Sequence, residues 1–303
     1  MIREKSELRL NAFGSSCHII VDNSTDAGEE YLSIARQELE RLDLKFSAFY
    51  PDSIISRINQ AAGTGYVTPL DPESRSLFQY VNALWNESKH IFDPTTRLLQ
   101  NCYAEDGRLL ASKAQLQGML KLVGWSRLEM TTEGASLTAK GMVIDLNACV
   151  RPYAVDAVRK QLMKHGASNA LIEMDRDIAS IGKQPDGANW LIGARIPRGG
   201  GAVITRFKLN QRGYALRGDF ERSITLENER FSRALSPIDG QPVPGLLSVG
   251  VIADDCLTAC SAASVARLKT EQAGMAWLDS LGLQWIAIDR ELACHGPLAP
   301  SKR

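Results

Sequence analysis

The chain has 303 residues, 44% of them hydrophobic, so it can bury a large core without metal or disulfide cross-links. Its 35 basic and 35 acidic residues balance to a formal net charge of zero, so no global field favours nucleic acid or an anionic membrane. No stretch approaches the roughly 18 uninterrupted apolar residues of a membrane span, and we expect a cytoplasmic protein, or a periplasmic one if an export signal has been removed.

The first third of the sequence predicts one strand followed by helices. Polar and apolar residues alternate over 8–21, which predicts an opening strand with a bend at Gly14. Apolar residues at helical spacing predict three helices, over 25–46, 51–60 and 72–88. Asp52 or Ser53 can cap the short second helix, and a loop over 92–96 follows the third.

Strands and helices interleave in the rest of the chain. Strands are predicted within 128–146, 170–182, 190–196, 202–209, 247–252 and 284–288. Helices are predicted over 151–165, 255–269 and 272–281. Because regular βαβ spacing is absent, we expect an α+β fold of mixed sheets with packed helices rather than a doubly wound sheet. The 303 residues are expected to form a single domain, or two closely packed α+β subdomains with a cleft between them.

The six cysteines do not form a metal or redox motif in the sequence. They are scattered, without the paired C-x-x-C spacing of structural zinc sites. Cys256 and Cys260 are four residues apart and would share a helical face, yet small alanines and serines surround them. Buried free thiols are the expected state.

Several short motifs follow one another along the chain. They are FGSS at 13–16, FSAFYPDSIISRIN at 46–59, FDPT at 92–95, GW at 124–125, IDLNA at 144–148, YAVD at 153–156, GDFER at 218–222 and GQPV at 240–243. Taken in this order, they resemble the FAD:protein FMN transferases, the ApbE family, from about residue 10 to residue 288. An ordered set of this length is much more specific than a single glycine motif.

The resemblance implies a definite chemistry. Such proteins bind FAD, cleave its pyrophosphate with help from magnesium, and transfer FMN to a threonine or serine hydroxyl of a partner protein. Negative charge on the phosphates must then be met by a metal, fixed cations or backbone amides, and the isoalloxazine needs an apolar slot. The resemblance implies a flavin-binding cleft between the Asn147 loop and the Ala259 helix. Its candidate cofactor-binding residues are Phe13, Tyr50, Asp93, Asn147, Ala148, Arg151, Met174, Asp175, Arg176, Arg217, Arg233 and Pro237.

Several of these positions depart from the family pattern. The lysine of the family's A-K-G is Arg151 here, and Pro152 replaces the glycine that follows it. Arg217 replaces the serine of S-G-D, and the G-G-D strand end has become the sequence MDRD at 174–177. The stretch that begins at Arg233 lacks the family's histidine and aspartate.

The implied metal site also departs from the pattern. The family's A-D-A-x-A-T helix binds magnesium through its aspartate and threonine, and Cys260 and Ser264 stand at those two positions here. Magnesium prefers oxygen ligands at about 2.1 Å, so a thiol is a poor replacement for a carboxylate. Magnesium is therefore a doubtful cofactor of this chain, whereas FAD or FMN is the expected one.

Three interpretations of function remain open on the sequence. The first is a flavin-binding protein that acts as a carrier, a sensor or an electron-transfer subunit. The second is an active transferase that moves FMN from FAD to a protein acceptor, and the third is a structural partner without flavin. The arginines at 151, 176, 217 and 233 either supply cations for phosphates in place of the metal or form ordinary ion pairs. Asp93 and Asp145 either bind ligand or only terminate a helix and a strand.

Overall fold

The structure is a computed structural model that describes residues 5–22, 27–104, 108–184, 186–195, 197, 203–218, 223–226, 229–232 and 234–300. Its helices are α1 (Gly28–Phe46), α2 (Ile54–Gln60), α3 (Pro72–Glu87), α4 (Lys113–Leu120), α5 (Asn147–Lys164), α6 (Cys256–Arg267) and α7 (Glu271–Ser280). Short 3-10 helices cover Pro94–Cys102 and Trp125–Arg127.

The strands are β1 (Lys5–Ala12), β2 (Ser15–Asp22), β3 (Thr68–Pro69), β4 (Leu128–Met130), β5 (Gly134–Leu137), β6 (Ala170–Met174), β7 (Asp177–Ile181), β8 (Trp190–Arg195), β9 (Val203–Leu209), β10 (Gly213–Gly218), β11 (Ser223–Leu226), β12 (Glu229–Ser232), β13 (Ser248–Ala253), β14 (Gln284–Ile288) and β15 (Cys294–His295). Eight of them form one antiparallel sheet in the order β1-β2-β6-β7-β10-β13-β14-β15. This mixture of antiparallel sheets and packed helices confirms the predicted α+β class.

Two predicted single strands are in fact hairpins. The strand predicted over 8–21 reverses at Phe13 and Gly14, which both have positive φ, and its halves pair as β1 and β2. The strand predicted over 170–182 reverses at Asp175, also at positive φ, and its halves pair as β6 and β7. The predictions were wrong because alternation continues along both arms of a hairpin and does not reveal the reversal.

Helix α5 begins earlier than the sequence indicates. The sequence predicts a helix over 151–165. The structure begins the helix at Asn147, and Pro152 lies inside it. Pro152 has no backbone N–H, so the carbonyl of Ala148, four residues earlier, lacks its usual helical donor.

The main core lies between the sheet and helices α1, α3 and α5, with a second core under α6 and α7. Helix α6 is joined to α5 through Asp156, whose carboxylate accepts hydrogen bonds from the backbone N–H groups of Cys256 and Leu257, both at 2.9 Å. These are donors that the first turn of a helix leaves unpaired. Asp156 therefore fixes α6 relative to α5. Among the described residues, no helix has both the length and the apolar character needed to cross a membrane.

Candidate functional site

Most of the predicted site residues lie at one end of the large sheet. The β1–β2 turn and the β6–β7 turn meet there, because the Asp175 N–H donates to the Ser16 carbonyl at 3.0 Å. The end of β10 lies beside the second turn, where the Leu216 N–H donates to the Arg176 carbonyl at 3.1 Å. The first turn of α5 packs over this end of the sheet and places Arg151 above both turns.

Arg151 links α5 to the two turns. Its Nη1 lies 3.0 Å from Ser15 Oγ and 3.7 Å from a carboxylate oxygen of Asp175. Arg176 approaches the same carboxylate at 3.6 Å. Two guanidinium groups thus approach one carboxylate at this corner of the site.

Arg217, Asp177 and Cys260 form a second cluster of contacting side chains, which is more deeply buried. The Nη2 of Arg217 lies 2.7 Å from both carboxylate oxygens of Asp177 and 2.7 Å from the sulfur of Cys260. Asp177 and Cys260 are fully buried. A guanidinium N–H is a strong donor to a carboxylate, and such a pair is stable in a buried position only when both charges are present.

The thiol of Cys260 connects this ion pair to α5. Its S–H donates to the carbonyl of Ala148 at 3.0 Å, the carbonyl that Pro152 deprives of a helical donor. Burial raises the pKa of Cys260 to about 11, although the nearby Arg217 opposes the rise, so the thiol is neutral at pH 7. Burial alone would lower the pKa of Arg217, but Asp177 and Cys260 raise it above its usual value.

These residues do not fit magnesium. The Arg217 nitrogen already occupies the space between the Asp177 carboxylate and the Cys260 sulfur, and Ser264 Oγ lies 3.8 Å from that sulfur. Magnesium requires about six oxygen ligands in near-octahedral geometry, and a fixed positive charge among them would repel it. In the described part of the chain, no group of three or more His, Cys, Asp or Glu residues could hold a metal ion.

A cavity of about 220 Å³ opens next to the first turn of α5. Its lining includes Asp93, Arg97, Asp145, Asn147, Ala148 and Leu235. The lining combines apolar and polar side chains, which is the usual composition of a small-molecule pocket. Ala148 belongs both to this lining and to the Cys260 contact.

Residues from four sequence motifs hold the cavity walls in place. Asp93 of the FDPT motif accepts hydrogen bonds from the N–H of Thr95, at 2.8 Å, and from the N–H of Trp125 in the GW motif, at 2.9 Å. Asn59, which ends the 46–59 motif, exchanges two hydrogen bonds with the backbone of Ile144. These contacts explain the order of the motifs, since each fixes another part of one wall.

In the part of the chain that the structure describes, no open space separates the Asn147 loop from the Ala259 helix, where the resemblance implies a cleft. Helices α5 and α6 pack directly against each other, and Ala259 is fully buried. The open space lies at the end of α5 instead, between Asn147 and the segment 91–100. The small residues of α6 permit this close approach, and the resemblance alone did not reveal it.

Other predicted site residues lie elsewhere. Tyr50 lines a second cavity of about 400 Å³ with Leu10 and Asp43, on the outer side of α1. Phe13 is buried, with its N–H bonded to Asp43, and Met174 is part of the main core. Pro237 is half-buried in a surface turn. Arg233 lies outside the described residues.

Sequence reasoning missed two residues that the structure brings into the site. Asp177 belongs to the MDRD stretch, but only the fold shows that it pairs with Arg217. Arg97 comes two residues after the FDPT motif, lines the cavity, and places Nε 3.6 Å from Asp145. The available signal was a charged residue at the end of the MDRD stretch in one case and close to the FDPT motif in the other.

A model of the ApbE family matches residues 13–287 of the chain. The chain belongs to the ApbE family. It is 24% identical over 232 residues to the FAD:protein FMN transferase of Haemophilus influenzae. The aligned region covers 73% of this chain and 67% of that protein. The ApbE protein of Thermotoga maritima has a similar fold, with a TM-score of 0.85, 24% identity and 97% of each chain covered. The flavinyl transferase ApbE of Pseudomonas stutzeri, in its apo form, gives a TM-score of 0.84 at 23% identity, covering 97% of this chain and 95% of that one.

Proposed function

We propose that this ApbE-family chain binds a flavin nucleotide, FAD or FMN, in and around the cavity at the N-terminal end of α5. The proposal rests on one observation: two motifs that resemble the flavin transferases, FDPT and IDLNA, line that cavity, and two others hydrogen-bond to them through Asn59 and Trp125. The name of the Haemophilus influenzae relative, a FAD:protein FMN transferase, indicates the class of ligand.

The chemistry of the cavity suits one part of such a ligand. Its volume of about 220 Å³ is below the roughly 300–1,000 Å³ of typical ligand pockets, so it can enclose only part of a dinucleotide. Arg97 in its lining and the positive end of the α5 helix dipole favour an anionic group there. Leu235 and Leu268 offer apolar surface for a ring.

A second candidate is an active transferase that passes FMN to a serine or threonine of a partner protein. The family membership and the name of the Haemophilus influenzae relative favour it. The site at Cys260 and Arg217 argues against the metal-assisted form of that reaction, because a guanidinium stands where the resemblance implies a metal. We therefore place ligand binding first.

Titration calorimetry with FAD, followed by chromatography of the recovered nucleotide, tests both candidates. A binding protein retains intact FAD, a hydrolase releases both FMN and AMP, and a transferase supplied with a serine or threonine acceptor releases AMP and leaves FMN bound to the acceptor. The variant Ala148→Leu adds bulk to the cavity wall and should weaken FAD binding by at least about tenfold, which corresponds to about 1.4 kcal/mol.

The matched control is Tyr50→Leu, which changes the second cavity on the far side of α1. It should leave FAD affinity unchanged. Binding that survives Ala148→Leu but is lost in Tyr50→Leu would move the ligand to the second cavity. No heat of binding in the unaltered chain would contradict the proposed function.

A further inference from the structure

Three departures from the ApbE family pattern form one connected unit in this fold. Pro152 leaves the Ala148 carbonyl without its helical donor, and the Cys260 thiol donates to that carbonyl at 3.0 Å. Arg217 then donates to the sulfur of Cys260 and to Asp177, both at 2.7 Å. The carbonyl that Pro152 exposes is therefore satisfied by Cys260, and Arg217 supplies the counter-charge of the buried Asp177 carboxylate.

The central member of this unit is a positive charge. The Arg217 Nη2 lies at equal distances from two carboxylate oxygens and one sulfur, among residues of β7 and α6. Its side chain is only 15% exposed, and Asp177 is fully buried. This is the arrangement of a small cation surrounded by ligands, except that the cation is covalently attached to β10.

We propose that Arg217 is a built-in replacement for a divalent cation: it fills the cation position and excludes metal, so the chain binds its flavin ligand without metal. The part concerning flavin rests on the proposed function, whereas the exclusion of metal does not. Without Arg217, a buried carboxylate would be left unpaired, which costs several kcal/mol unless another cation replaces it. A metal and this guanidinium therefore exclude each other.

The first test uses the unaltered chain and Mn²⁺ alone, with bound metal measured by the loss of the free-ion electron paramagnetic resonance signal. We expect no stoichiometric binding at millimolar Mn²⁺. In a separate titration, FAD affinity should change by less than about twofold between excess chelator and excess magnesium. One equivalent of bound Mn²⁺, or an affinity that falls about tenfold in chelator, would overturn the proposal.

The second test restores a metal site. In the double variant Arg217→Ser with Cys260→Asp, the guanidinium is removed and a second carboxylate is placed near Asp177 and the Ala148 carbonyl. Oxygen ligands then surround the former position of Arg217, and we expect one equivalent of Mn²⁺ to bind. A folded double variant that binds no Mn²⁺ would show that Arg217 does not occupy a cation position.

The control is Arg212→Ser, which removes a half-exposed guanidinium that lies 3.8 Å from Asp254, away from the site. This variant should bind no Mn²⁺. Circular dichroism establishes which variants fold, and if the double variant does not, the titrations of the unaltered chain decide. A chain that binds neither FAD nor Mn²⁺ contradicts the proposed function but still supports the exclusion of metal.

Discussion

The contact between Asp156 and the start of α6 predicts an unusual dependence of stability on pH. Burial raises the pKa of Asp156 from 3.8 to about 6, even though the N–H groups of Cys256 and Leu257 favour its charged form. The nearby Asp255 adds to the rise. Ionised Asp156 is therefore less stable in the folded chain than in the unfolded one.

The sign and size of this effect of pH on stability follow from the pKa values of Asp156 in the unfolded and folded chain. Between pH 3.8 and 6 the folded chain holds the proton more tightly than the unfolded chain, so the free energy of unfolding falls as pH rises. The whole effect is about 3 kcal/mol, since each pKa unit corresponds to about 1.4 kcal/mol. About 1 kcal/mol of it falls between pH 5 and pH 7.

The perturbation is Asp156→Asn, measured by urea unfolding at pH 5 and pH 7. Asparagine cannot ionise, so the variant should lack the gain of about 1 kcal/mol that the unaltered chain shows on going from pH 7 to pH 5. It accepts only one of the two N–H bonds, so it should also be less stable at both pH values, by about 1–3 kcal/mol.

Asp255→Asn is the matched control, because Asp255 caps the same helix from a partly exposed position through the N–H of Thr258. Asparagine is an equally good cap, so this variant should keep the stability of the unaltered chain and most of its pH dependence, losing only the part that the Asp255 charge contributes. If Asp156→Asn and the unaltered chain respond equally to pH, burial of Asp156 does not govern its ionisation and the reasoning fails.

Four further variants test contacts elsewhere in the fold. Arg41 is the main cause of the lowered pKa of Glu73, which is about 2. After allowance for solvent screening, Glu73→Gln should therefore lower the free energy of unfolding by about 1–2 kcal/mol at pH 7. In urea titrations, this difference between the variant and the unaltered chain should shrink below pH 4. In Gly213→Ala, the new Cβ would lie 2.2 Å from the backbone of α6, so thermal unfolding should show a loss of stability of about 1–3 kcal/mol. Gly118 lies in α4 with open space around it, so Gly118→Ala should stabilise the chain by up to about 1 kcal/mol. Tyr103→Phe removes a buried hydroxyl bonded at 2.8 Å to a backbone carbonyl and should cost about 1 kcal/mol in urea, and a chain that keeps full stability would contradict that hydrogen bond.

Much of the fold could be predicted from local patterns. The helical periods predicted α1, α2 and α3 within a few residues of their observed ends, and Ser53 caps α2 as expected. The cap could be predicted because the Ser53 side chain and the N–H that it binds, that of Ser56, are only three residues apart. Hairpin reversals were missed because both arms share one alternation, and β10 was not predicted because its six residues carry no long pattern.

The sequence by itself determined the family, through motifs whose order does not depend on how the chain folds. It also determined that Arg217, Cys260 and Pro152 depart from the family pattern. Only the tertiary structure decided that these departures are connected, because residues 43 and 112 positions apart meet where α6 packs on α5 and β10. Periodicity and capping report forces between near neighbours, whereas the partner of a buried thiol or guanidinium depends on which elements pack together.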